Sequence, residues 1–280
     1  MIEAEKQTEI RGQKYTIFTV DQQIFAIVLN IIWSDPNRWN MFVPRLGGMH
    51  FLMSFIGCIG SLMEGSGLKE IMKSTFAGFE KMLLGRKYPS NDRALMMVLI
   101  ELLRNALPAI QSYSELTNWL NLISEQSPLA RHWVQNFIQP LFIILSYIRA
   151  EREENFALHV FAYKQMIPYF FAANHHHYAR YSVYYLKIMK HLHQSVLNSF
   201  LDGEHAVRQI DGIWNAIWTD MMIETQYMRY GKGRNGIIGF TTNQGALEVW
   251  SKSHHASTTL LKDLNELRDK NDPVSIIYKE

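Results

Sequence analysis

Three side chains have the types and placement for divalent-metal chemistry: Asp21, Asp220 and Glu224. Asp21 follows the alternating apolar and β-branched run Tyr15–Val20, which puts a carboxylate at the end of an expected strand. Asp220 and Glu224 are four residues apart, hence on one face if that stretch is helical. Carboxylate oxygens suit hard cations such as Mg²⁺ or Mn²⁺, and pairs of such ions carry out phosphodiester chemistry. In that reading Glu224 meets Asp21 across the fold and the two share metal. The plainer reading makes Asp21 a helix N-cap and leaves Asp220 and Glu224 solvated or ion-paired, with Arg229 as one partner.

Other constellations carry less. His175-His176-His177 cannot converge on one ion, because adjacent helical side chains point in different directions. His191, His193, His254 and His255 have no recognisable ligand spacing, and a histidine metal enzyme ranks below the other readings. Gly231-x-Gly233-x-x-Gly236 matches a dinucleotide fingerprint as a string, but it follows an expected helix instead of a strand. Cys58 lies in the apolar run Phe55–Ile59, the setting of a small buried hydrophobe.

The elements that must position these groups read as follows. After a polar leader comes the strand Tyr15–Val20. A helix with Ile24, Phe25, Val28 and Ile31 at helical spacing follows, ending at Ser34-Asp35-Pro36. A second short strand, Met41–Pro44, leads through Arg45-Leu46-Gly47-Gly48 into a helix carrying His50, which Gly65-Ser66-Gly67 ends. This is a small α/β piece. Leu68 to Leu201 reads as helices, with Pro140 and Pro168 expected to kink or break theirs and Arg149–Glu154 expected as a solvated face or junction. A long helix is expected from Asp202 or Glu204 to Tyr230, with Trp214, Ile217 and Trp218 on its apolar face. A short strand at Ile237–Phe240 and a helix through Leu267 come after it.

Composition narrows the function classes. The chain has 280 residues and 48% hydrophobic residues, enough for a sizeable core, and a formal charge of +2, unlike the basic surface of a dedicated nucleic-acid binder. One cysteine permits no intrachain disulfide, and there is no Asn-x-Ser/Thr acceptor. With a charged N-terminus lacking a signal-peptide stretch, this points to an intracellular protein, nuclear or cytoplasmic. The apolar runs Met49–Met63 and Ile138–Ile148 are too short to span a membrane.

Thr19-Val20-Asp21-Gln22, Pro44–Phe55 and Gly236–Asn243 resemble segments of a mobile-element-derived family expanded in invertebrate genomes, with fungal relatives. More distantly, the layout is similar to the RNase H-like core of hAT-type transposases. The resemblance implies a mainly α protein with a partial RNase H-like core and a large helical insertion. Residues 1–67 would form the α/β segment, 68–201 the insertion, and 202–280 the helices returning to the core. It makes Asp21 the second acid, His50 the histidine of the following helix, and Glu224 the final acid, with Asp220 one turn before it. The strand carrying the first acid and the N-terminal DNA-binding module have no counterpart here. The expected function is therefore a transposase-derived catalytic-core fragment, ancestrally a metal-dependent DNA strand-cleavage and transfer enzyme, inactive alone. Mg²⁺ or Mn²⁺ would bind only if the site is retained. DNA is the implied ancestral partner. Self-association or a protein partner would use the unpaired edge of strand Tyr15–Val20. The alternative is a helical protein–protein interaction module without chemistry.

Overall fold

A computed structural model of the chain describes residues 1–75, 88–104, 110–208 and 214–228, with the isolated positions 245 and 249. The chain divides into two compact units, Met1–Met222 and Ile223–Glu280.

The first unit opens with helix α1 (Ile2–Ile10), where the sequence suggested only a polar leader. Its polar surface gives it no apolar stripe. It is fixed instead by the Glu5–Arg38 ion pair and by a 2.8 Å hydrogen bond between the Thr8 and Thr16 hydroxyls. Strand β1 (Thr16–Val20) ends at Asp21, which caps helix α2 (Gln22–Ser34). Strand β2 (Phe42–Leu46) runs parallel to β1 in the register Thr16↔Phe42 to Val20↔Leu46. All five β2 residues are buried, the continuous burial expected of a parallel strand covered on both faces. Helix α3 (Gly48–Leu62) follows at once and sends Phe51, Leu52, Phe55, Ile56 and Ile59 into the core.

The helical stretch comprises α4 (Leu68–Thr75), α5 (Tyr88–Leu103), α6 (Tyr113–Gln126), α7 (Pro128–Trp133), α8 (Gln139–Arg152), α9 (Phe156–Ala172), α10 (His176–Lys190) and α11 (Gln194–Leu201). Ser112, Ser127 and Asn155 cap α6, α7 and α9 through their side chains. Pro140 does not break its helix. It sits in the first turn of α8 after a π-helical turn, Val134–Ile138, where the hydrogen-bond ladder is already shifted. Pro168 stays inside α9 without ending it.

One hydrophobic core runs through both the α/β segment and the helical stretch. Phe51 of α3 stacks on Tyr163 of α9 at 3.8 Å and 8°, and its ring also meets Tyr147, Phe170 and Tyr178.

Of the expected helix from Asp202 or Glu204 to Tyr230, the later part is helical, at Thr219–Met222 and Ile223–Tyr227, and the earlier described part is not. Gly203 turns the chain at φ +96, and strand β3 (Val207–Arg208) pairs antiparallel with β4 (Ala216–Ile217). A four-residue helix, α12 (Thr219–Met222), ends the first unit. Trp214, expected on a helical face, adopts φ +67 and is half-exposed, while Ala216, Ile217 and Trp218 are buried. Their apolarity serves burial of an extended segment, not a helical stripe. The bidentate Arg208–Glu154 pair ties this hairpin to the end of α8. The second unit opens with a π-helical turn, Ile223–Tyr227. Parts of the expected helical stretch Leu68–Leu201, the Gly231–Gly236 loop, the strand Ile237–Phe240 and the following helix fall wholly or partly outside the described residues.

Candidate functional site

The carboxyl ends of two parallel strands are where open α/β sheets gather functional groups, and three of the four expected site residues lie there. Asp21 follows β1. Beside it the ladder runs one bond further, from the Gly47 N–H to the Val20 carbonyl at 2.8 Å, and His50 sits in the first turn of α3. Asp220 arrives from α12. The fourth, Glu224, belongs to the second unit, on its opening π-helical turn.

Asp220 is buried, and both of its oxygens are committed. Oδ1 accepts the Met49 N–H at 3.1 Å, while Oδ2 accepts the His50 N–H at 3.0 Å and lies 2.9 Å from His50 Nδ1. Helix α3 has Gly47 at its N-cap, which has no side chain to do this work. Asp220 supplies that cap from 170 residues away, where backbone N–H groups and the helix dipole favour negative charge. The glycines make the room. A Cβ on Gly47 would collide with the Asp220 carboxylate, and one on Gly48 with the Trp218 indole. Trp218 in turn stacks on Tyr147 at 5.6 Å.

Asp21 does the same locally for α2, its Oδ1 accepting the Ile24 N–H at 2.8 Å. Its second oxygen makes no hydrogen bond among the described residues. Tyr178 of α10 senses both acids. Burial pushes its hydroxyl well above the ordinary tyrosine range, and the charges of Asp21 and Asp220 push it further. The arrangement is a helix-terminus carboxylate site with one uncommitted oxygen, and that does not make a two-ion ligand set by itself.

At the amino ends of the strands is a cavity of about 700 Å³, lined by Lys14, Tyr15, Trp33, Tyr184, Lys187 and His193 among others. Tyr15 stacks on His193 there at 4.9 Å. His175, His176 and His177 do diverge: His175 precedes α10 and hydrogen-bonds Ser54 Oγ at 3.1 Å, while the other two belong to the first helical turn. Cys58 is fully buried, and burial pushes its thiol up to about 12.

A second constellation was not anticipated. Glu151 of α8, His159 of α9 and His205 of the loop after α11 are each buried and converge between the helices. Glu151 Oε1 contacts His159 Nδ1 and lies 3.9 Å from His205 Nε2. His159 Nε2 is 2.9 Å from the Tyr185 hydroxyl, and His205 Nδ1 is 3.1 Å from the Phe200 carbonyl. Arg45 of β2 donates to the His205 carbonyl at 2.7 Å. Burial alone would raise the Glu151 carboxyl, but His159, His205 and Arg45 outweigh it and hold the group below its usual range. Burial pulls His205 down to about 4, against the attraction of Glu151, so its imidazole is neutral near pH 7.

The family model for Domain of unknown function (DUF8702) matches residues 1–120 and 109–275, almost the whole chain. The chain belongs to the DUF8702 family. No curated protein and no solved structure matches it.

The buried polar groups of this DUF8702 chain left a trace in its sequence. Glu151 was grouped with the charged Arg149–Glu154 run expected in solvent, yet it continues the apolar stripe Ile144, Tyr147 on α8. His159 likewise occupies the stripe Phe156, Tyr163, Met166, Phe170 on α9. A polar residue at an apolar position of a helical stripe is the signal for a buried network. His205 lies in a loop and carries no such mark.

Proposed function

We propose that this DUF8702 chain is a transposase-derived catalytic-core fragment whose acidic site has become structural, so that it does not cleave DNA on its own. The observation that carries the reading is the engagement of Asp220: both oxygens hold the N-terminus of α3 and His50. Three contacts already occupy this carboxylate, so a metal would compete with them, and a buried N–H left unpaired costs on the order of 1–3 kcal/mol. The parallel strand–helix–strand unit, with Asp21 at the end of one strand and His50 just after the other, supports the ancestral part of the reading. The resemblance of local motifs supports it as well.

Calorimetric titration of the full chain with Mg²⁺ and Mn²⁺, alongside an Asp21→Ala variant, tests this. We expect no saturable heat with millimolar Mg²⁺, no Mn²⁺ binding that depends on Asp21, and no nicking of duplex DNA. Stoichiometric binding abolished by Asp21→Ala would show a retained site and overturn the reading.

One observation favours the interaction-module alternative. Among the described residues β1 pairs only with β2, and Ile17 of β1 together with Ile24 and Ile27 of α2 is exposed. An open strand edge beside apolar side chains suits pairing with another strand. Light scattering that finds a monomer, with strong amide protection over Tyr15–Val20, would count against that alternative.

A further inference from the structure

We infer that Glu151, His159 and His205 form a binding site for one transition-metal dication of the zinc type, separate from the strand-end acids. Their three ligand atoms all lie within 4.8 Å of one another. Bonds of about 2.0–2.2 Å to zinc require neighbouring ligand atoms to sit somewhat closer than that, within reach of small side-chain rotations. Two imidazoles and one carboxylate are a donor set for zinc, not for Mg²⁺, which demands oxygen.

The hydrogen bonds around the cluster already have the form that ligating histidines need. A metal-bound histidine presents one ring nitrogen to the ion and donates the other N–H to an acceptor that fixes its orientation. His205 Nδ1–H donates to the Phe200 carbonyl, which leaves Nε2 as a lone pair facing Glu151. That Nε2 has no hydrogen-bond partner, and neither has Glu151 Oε2, although both residues are about 1% exposed. His159 faces the cluster through Nδ1, and its Nε2 reaches the Tyr185 hydroxyl. Two buried atoms without partners in one cluster, one of them facing Glu151, are costly unless something satisfies them.

Binding displaces the proton shared by Glu151 and His159, which leaves to solvent, and the ion then takes Oε, Nδ1 and Nε2. Arg45 is the opposing influence. Its guanidinium contributes a positive charge that lowers both Glu151 and His205. A negatively charged fourth ligand, such as hydroxide, therefore completes the site better than neutral water.

The test uses the full chain stripped with a chelator, titrated with Zn²⁺ by calorimetry and with Co²⁺ by visible absorption. One equivalent of each is expected, with the d–d bands of low-coordinate Co²⁺. His205→Gln should abolish uptake, and the paired change His176→Ala with His177→Ala should leave it intact. Tyr185→Phe keeps every ligand and should weaken binding roughly 10-fold to 100-fold. If His205→Gln does not fold, the cobalt spectrum and Tyr185→Phe decide. Failure of the wild-type chain to take up one equivalent overturns the inference. So does uptake that persists undiminished in Tyr185→Phe or a folded His205→Gln, or uptake lost with His176 and His177. The Mg²⁺ titration has no bearing on these outcomes, because the two sites share no residue.

Discussion

Asp220 and Glu154 are both acids whose partners come from far along the chain, and their partners make different demands. Asp220 holds two backbone N–H groups and a ring nitrogen at the start of α3. Asp220→Ala should therefore cost roughly 1–3 kcal/mol of unfolding free energy by urea titration. Asp220→Asn, which keeps one acceptor, should cost less, and equal losses from both would argue against the capping account. Glu154 is held below its ordinary range first by its hydrogen bond to Arg208, against burial, with the Arg208 charge adding to it. Its folded-state value is depressed, so the contribution is complete above about pH 4.5 and disappears as pH falls through the lower folded value. Arg208 is half-exposed, which limits the contribution to about 1 kcal/mol. The stability gap between wild type and Glu154→Gln should be constant from pH 8 to 5 and close below that. A gap that widened in acid would refute this sign.

At the level of elements, the parts of the fold with a local cause were legible. The alternation of Tyr15–Val20 and the Asp21 cap each act within a turn or two, and both elements formed where expected. The described parts of residues 202–218 were misread because Trp214, Ile217 and Trp218 recur at a spacing that also suits a helix. What decided against it was tertiary: the Arg208–Glu154 pair, the slot at Gly47 and Gly48, and the left-handed turn at Trp214. The same contacts bring the Asp220 carboxylate, on the short helix α12, to the cap of α3. The slot itself can be tested. Gly48→Ala forces a methyl group into the Trp218 indole, and such overpacking costs typically about 1–3 kcal/mol. Urea titration should show that loss, and near-UV dichroism should report the displaced indole. An unchanged spectrum would mean that the indole is not seated there.

Across the whole molecule, the helical stretch does not stand apart as an inserted body. Phe51, from the α/β segment, stacks on Tyr163 and touches three further rings of the helices. The mainly helical class was readable from stripe periodicity, whereas the sharing of one core was not, because periodicity says which face is buried and not against what. No helix among the described residues is long and apolar enough to cross a membrane. Removing surface apolarity at the open strand edge should be benign for folding and decisive for association. Ile17→Lys, at a half-exposed position, should leave the thermal midpoint within a few degrees, since surface changes stay near 0.5 kcal/mol. It should also abolish any concentration-dependent rise in light-scattering mass.

The long-range cap on α3 also sets a timetable for synthesis. While the chain is still being made, the first turn of α3 and its two glycines emerge long before Asp220 and Trp218. At about 5–20 residues per second, an interval of roughly 10–30 s separates them. Throughout that interval the helix start has only water to accept from its amide groups, and the surface that Trp218 later covers stays open to water or to a chaperone. The fastening of α3 therefore comes with one late segment of the chain.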